Sequence, residues 1–177
     1  VESFFSREKL YELTGNQIIF FNTIFQLMYL NKYRKEDLNK AKSMLLMPDL
    51  FNYFLTGVKR AEETIASTTQ LFDPYKKTWN AEIIQTLGLP GDIFQQLVKP
   101  GETIGTISRE LAKELGIPQI TVVATASHDT ASAVVGVPAS DDDFLFVSCG
   151  TWSLIGTELE EPIISTKSAS FNITNES

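Results

Sequence analysis

The apolar spacing of this chain changes once, close to Pro118, and that change dictates a mixed architecture. Before it, apolar residues recur at helical intervals in runs cut short by glycine or proline. After it, Gln119 to Ala124 carries Ile120, Val122 and Val123 as a short β-type run. A helix-rich first half followed by a strand–helix unit and a β-hairpin is an α/β fold.

The helical half reads in segments. Ser6, then Glu8 and Lys9, then Leu10, Tyr11 and Leu13 before Gly15 predict a capped helix with a glycine stop. Ile18, Phe21, Phe25, Met28 and Tyr29 form one apolar face of a second helix that Asn31 closes, and Asp37 to Met47 is a third, stopped by Pro48. Leu50, Phe51, Phe54 and Leu55 mark a short helix ended by Thr56-Gly57. From Lys59 to Leu71, Thr64, Ser67, Thr68 and Thr69 suit a polar, hydrogen-bonded surface better than a dry core. Helices are expected again over Asn80 to Leu87 and Thr106 to Leu115, ended by Gly88 and Gly116.

The later half reads as strand, turn and helix around Ser127-His128-Asp129-Thr130, with the helix running through Ala131 to Val135 and ending at Gly136. Asp141-Asp142-Asp143 is an exposed acidic linker. Phe144 to Val147 and Trp152 to Gly156 then predict a hairpin with Gly150 at its tip.

Composition limits the function classes. With 177 residues, 43% hydrophobic and 12 Phe, the chain can bury one core or two small ones. A net charge of -7 argues against the basic surface that nucleic acid or anionic membrane requires. The longest apolar stretch, Ile18 to Leu30, is too short and too polar to span a bilayer. One cysteine, Cys149, forms no intramolecular disulfide, and no basic-then-apolar signal opens the chain, so a cytoplasmic location is expected.

Two constellations carry chemistry. Asp129 stands where a strand hands over to a helix, the usual ligand position in open α/β sheets. Capping by Ser127 and the helix dipole on Asp129 would account for both residues. The functional reading makes Asp129 the base that takes a hydroxyl proton during phosphoryl transfer. His128 is either a ligand to the substrate or a satisfied structural histidine. In Ser148-Cys149-Gly150-Thr151-Trp152-Ser153, the glycine brings backbone close to an anion and Thr151 adds a hydroxyl donor, unless the segment is a plain turn. Trp152 is expected to pack a core and Cys149 to be a small buried residue, with no metal site.

Leu45-Leu46-Met47-Pro48-Asp49-Leu50-Phe51-Asn52-Tyr53-Phe54-Leu55-Thr56-Gly57, Ala66-Ser67-Thr68-Thr69-Gln70-Leu71, Ala126-Ser127-His128-Asp129-Thr130-Ala131-Ser132-Ala133-Val134 and Cys149-Gly150-Thr151-Trp152-Ser153-Leu154, in that order, resemble the FGGY carbohydrate kinases and, among them, the rhamnulokinases. Asn172 to Glu176 continues the likeness, although Ser177 stands where glycine is expected. The resemblance implies an actin-like, ribonuclease-H-like two-domain sugar kinase with ATP and sugar in the interdomain cleft and Mg²⁺ on the phosphates. It implies Asp129 as catalytic base, His128, Asp129 and Thr130 as sugar contacts, and Thr151 and Gly150 as ATP contacts. The expected reaction moves the γ-phosphate of ATP to the 1-hydroxyl of L-rhamnulose. Residues 1–139 are expected to end the sugar-binding domain and 140–177 to open the nucleotide-binding one.

The chain starts at Val1 and shows neither the phosphate loop nor the adenosine-binding segments of the family, so it is read as an internal piece that is inactive alone. Two rivals stand beside this reading: a family member for another sugar, such as fuculose or xylulose, and a non-catalytic helical interaction domain.

Overall fold

The computed structural model describes residues 1–141, 143–150 and 152–177. α1 (Arg7–Thr14) starts where the Ser6 hydroxyl accepts the Lys9 N–H at 3.1 Å and stops at Gly15, whose φ of 65° is the left-handed geometry glycine adopts without strain. α2 (Thr23–Tyr33) begins later than its apolar spacing suggested. Ile18 and Phe21 lie in the turn before it, Asn31 sits inside it, and its buried face is Ile24 and Leu27. The expected helix over Asp37 to Met47 does not form. α3 (Lys35–Lys40) ends at Ala41, residues 41–46 are not helical, and Pro48 opens α4 (Met47–Thr56) instead of stopping its predecessor. The physical reason is that proline lacks only an amide that a first turn leaves unpaired anyway. Gly57 closes α4 as expected, with φ 71°.

β1 (Ala61–Glu62) leads into α5 (Glu63–Ser67), then β2 (Phe72–Asp73) and β3 (Thr78–Trp79). Here the expectation of a surface is overturned, because Thr64, Ser67 and Thr69 are buried. Their hydroxyls remain hydrogen-bonded to local acceptors: Thr64 donates to Glu62 Oε2 at 2.6 Å, Ser67 to Thr64 O at 2.7 Å and Thr69 to Ala66 O at 2.6 Å. A short polar side chain that satisfies itself within one turn can be taken out of water at little cost.

α6 (Ala81–Thr86), a 3₁₀ turn at Gly91–Ile93, β4 (Leu97–Val98), β5 (Thr103–Thr106) and α7 (Arg109–Leu115) follow. Asn80 caps α6 through the Ile83 N–H at 3.1 Å, and Ser108 caps α7 through the Leu111 N–H at 3.2 Å. Thr106 therefore belongs to a strand and not to α7, whose cap sits two residues on; Gly116 ends that helix. β6 (Thr121–Val123), α8 (Asp129–Val135), β7 (Phe146–Cys149), β8 (Ser153–Gly156) and α9 (Thr166–Ser170) complete the chain.

The strands form four two-stranded sheets among the described residues: β1 with β4 in parallel, and β2 with β3, β5 with β6 and β7 with β8 antiparallel. The last pair is the hairpin that the sequence predicts. The main core gathers Phe5, Leu10, Ile24, Leu27, Leu71, Ile83 and Ile93 from the helical half. A smaller one, Val98, Ile104 and Ala124, lies under β5 and β6. Cys149 and Trp152 are exposed, against expectation, because the hairpin presents both to solvent and not to a core.

Candidate active site

The end of β6 is fixed first. Ala124 is buried, its N–H donates to Glu102 O at 2.8 Å, and its carbonyl accepts the Gly101 N–H at 2.8 Å. The chain then turns through residues 125–128 into α8. Ser127 does not cap that helix: its hydroxyl donates to Glu62 Oε2 at 2.5 Å and its N–H to the same oxygen at 3.1 Å. His128 occupies the cap position without a side-chain capping bond, and its N–H donates to Thr64 Oγ1 at 3.1 Å. The capping explanation of Ser127 therefore fails, because a carboxylate 65 residues away in sequence outcompetes the helix amides for that hydroxyl.

Asp129 is the first residue of α8 and its side chain is 96% exposed. Its Oδ1 accepts the Thr130 N–H at 2.8 Å and lies 3.4 Å from His128 Nε2. On the other side of the imidazole, Nδ1 is 3.0 Å from Glu176 Oε2, an ion pair by distance whose N–H is not aligned for a hydrogen bond. The Glu176 carboxylate holds His128 above the usual histidine range, against the opposing pull of half-burial, with smaller help from Asp129 and Glu62. Two flanking carboxylates favour the charged form of the imidazole and fix its orientation.

A cleft of about 1170 Å³ brings these groups together. His128, Asp129 and Thr130 line it with Thr64 and Thr68 of the α5 region, the loop before α2, and Glu176. Gly150, Trp152 and Ser153 of the hairpin also line it. Gly150 shapes the turn, since its N–H donates to Trp152 O at 2.8 Å and is thereby engaged within the hairpin. Thr151, the expected ATP contact, lies outside the described residues. The Trp152 ring stands 6.2 Å from that of Phe21.

Two residues escaped the sequence reading. Glu62 is fully buried and accepts from Thr64 N, Thr64 Oγ1 and Ile65 N as well as from Ser127. Glutamate is a poor local signal for a helix cap, so nothing short-range singled it out. Glu176 was legible only as part of a family-like segment; its contact with His128 joins residues tens of positions apart. Among the described residues no three metal-ligating side chains converge.

Residues 2–136 match the model of the FGGY family of carbohydrate kinases, N-terminal domain. The chain belongs to the FGGY family of carbohydrate kinases. It is 45% identical over 172 residues to a rhamnulokinase of Halalkalibacterium halodurans, covering 97% of this chain and 36% of that protein. A rhamnulokinase of Bacteroides thetaiotaomicron is 43% identical over 178 residues, with 99% and 37% covered. The chain thus spans about a third of the length of the curated relatives it matches. A ligand-bound xylulose kinase and a gluconate kinase, both from Lactobacillus acidophilus, superpose with TM-scores of 0.80 at 26% identity, covering 93% of this chain and 33% of each of theirs. The small sheets and short helices are thus a portion of the actin-like, ribonuclease-H-like fold of FGGY sugar kinases. No described helix is long and apolar enough to cross a membrane.

Proposed function

We propose that this chain supplies the sugar-facing wall and the general base of an ATP-dependent sugar kinase whose substrate is L-rhamnulose and whose product is L-rhamnulose 1-phosphate. The observation that carries the proposal is the Asp129 carboxylate, 96% exposed at the mouth of α8 inside a cleft it shares with His128, Thr130 and Gly150. In phosphoryl transfer the protein mainly positions the reactants and stabilises charge, and an aspartate beside the attacking hydroxyl is the recurring base.

In the reaction so read, Asp129 takes the proton of the sugar hydroxyl as its oxygen attacks the γ-phosphorus of ATP and ADP leaves. His128 and Thr130, on either side in sequence, hold further sugar oxygens. The imidazole donates to the sugar on one side while Glu176 holds it on the other. Gly150 and Thr151 meet the nucleotide from the hairpin. Magnesium would arrive on the nucleotide's phosphates and balance their charge.

Rhamnulose as the sugar is supported by the two rhamnulokinase relatives, which match nearly the whole chain. Xylulose is the second reading, favoured by the TM-score of 0.80 with a xylulose kinase. The division at residues 139 and 140 into the end of a sugar-binding domain and the start of a nucleotide-binding one is part of the proposal, and the family match ending at residue 136 supports it. Residues 163–177 nevertheless fold back on the first part, with Asn175 N–H donating to Gly15 O at 2.9 Å.

The test is Asp129→Asn in a kinase carrying this chain, assayed with L-rhamnulose, L-fuculose and D-xylulose. The substitution should lower turnover on the preferred sugar by at least about a hundredfold, since general-base catalysis is worth ~10²–10⁴. Melting should hardly change at so exposed a side chain. Normal turnover would remove Asp129 as the base, and preference for another ketose would replace rhamnulose.

A further inference from the structure

We infer that Glu62 is a positioning residue of this site, holding the Ser127–His128 turn so that the Asp129 carboxylate stands in the cleft; the inference rests on the reading of Asp129 as the base. Glu62 is fully buried at the junction of β1 and α5, remote in sequence from the residues it serves. A carboxylate is taken out of water only where donors replace the water. Five do so here. Oε1 accepts Thr64 N–H at 2.9 Å, and Oε2 accepts Thr64 Oγ1 at 2.6 Å, Ile65 N–H at 3.2 Å, Ser127 N–H at 3.1 Å and Ser127 Oγ at 2.5 Å.

The network reaches one residue further. Thr64 Oγ1, having given its hydrogen to Glu62, accepts the His128 N–H at 3.1 Å. The two successive amides that precede Asp129 are therefore held by Glu62 and by a hydroxyl that Glu62 orients. Glu62 is itself fixed from α4, because its own N–H donates to the buried Asp49 Oδ1 at 2.9 Å. Asp129 has no comparable anchor of its own beyond the helix it starts. Its place in the cleft is consequently inherited from the Glu62 carboxylate, and a shift of ~1 Å at a reacting group can cost about a hundredfold.

Glutamine cannot replace this group. An amide nitrogen at the Oε2 position faces the Ile65 and Ser127 N–H groups, which cannot rotate away, and at the Oε1 position it faces the Thr64 N–H. Ser127→Ala is gentler, deleting one of the two Ser127 bonds while leaving its N–H in place.

The experiment has two arms. Glu62→Gln and Ser127→Ala in a kinase carrying this chain should each lower kcat by about ten- to a hundredfold while the KM for ATP stays within about twofold. In the 177-residue chain, His128 is the single histidine, so its imidazole proton resonance reads the site directly. Its titration midpoint should fall in Glu62→Gln, which loses a nearby negative charge. The inference is overturned if kcat in the folded variants stays within about twofold of the unsubstituted enzyme. Should Glu62→Gln not fold, Ser127→Ala decides. Should Asp129→Asn keep its rate, the base reading falls and this inference is overturned with it, whereas loss of rate in Asp129→Asn with unchanged kcat in Glu62→Gln and Ser127→Ala overturns the inference alone.

Discussion

The helical body around α2 and α6 and the wall formed by α8 with the β7–β8 hairpin are built on opposite principles. In the body, Ile24 and Ile83 are fully buried and many side chains interlock. In the wall, α8 buries none of its residues, and Val135 and Ile155 are 80% and 73% exposed. Hydrophobic burial holds the first; hydrogen bonds and charges reaching out of the first hold the second. Glu62 grips Ser127 and Glu176 meets His128. The chemically interesting residues sit on the part with the least packing, which is where a cleft that must admit a ligand is expected to put them.

Truncation tests that contrast most strongly. Ile83→Ala should cost about 2–5 kcal/mol by emptying a filled core site. Ile155→Ala should stay within about 0.5 kcal/mol, as exposed positions do. Denaturant unfolding of the pair checks it, and a cost of several kcal/mol at Ile155 would show that the hairpin is packed against something after all. A smaller effect is expected at the seam between the regions. Gly15 has φ 65°, and a Cβ there would meet Ile164 Cδ1 at 2.9 Å and Asn175 Cβ at 3.2 Å. Gly15→Ala should cost about 1–2 kcal/mol from the left-handed backbone alone, and should raise amide exchange in residues 172–177 above that in α6. Equal protection in both would mean that the carboxyl-terminal segment does not depend on this seam.

The remaining effects are in pH dependence, and they separate the regions by window. Burial pushes Asp49, in the body, up to about 6. A carboxyl raised in the folded state binds a proton more tightly there than when unfolded, so its contribution is full below 3.8 and lost as pH rises through about 6. His128, in the wall, is raised above 6.5 by Glu176, so its contribution is full below 6.5 and lost at higher pH. Melting curves across both windows should show Asp49→Asn flattening the lower one, by up to about 3 kcal/mol for a shift from 3.8 to about 6, and Glu176→Gln the upper one, by about 1 kcal/mol or less. If Glu176→Gln altered only the lower window, the His128 pair would not be what ties the carboxyl terminus to the site.

What the sequence determined by itself is what local chemistry decides. Ser6 with Gly15, and then Gly88 and Gly116, announce helix ends because a capping side chain or a left-handed glycine acts within four residues, whereas the Ser108 cap was passed over for a start at Thr106. The hairpin was legible for the same reason, and ordered family-like segments were enough to point to the FGGY kinases. Local signals also misled where two local readings compete: Pro48 either stops one helix or starts the next, and only the fold chose. Tertiary structure alone decided that the Thr-rich stretch from residue 64 to 69 goes inside, that Ser127 turns to Glu62 and not to its own helix, and that Glu176 reaches His128. Those outcomes rest on groups separated by tens of residues, and whether a hydroxyl or carboxylate finds a donor at that range depends on where packing carries the backbone, which no short window of sequence encodes.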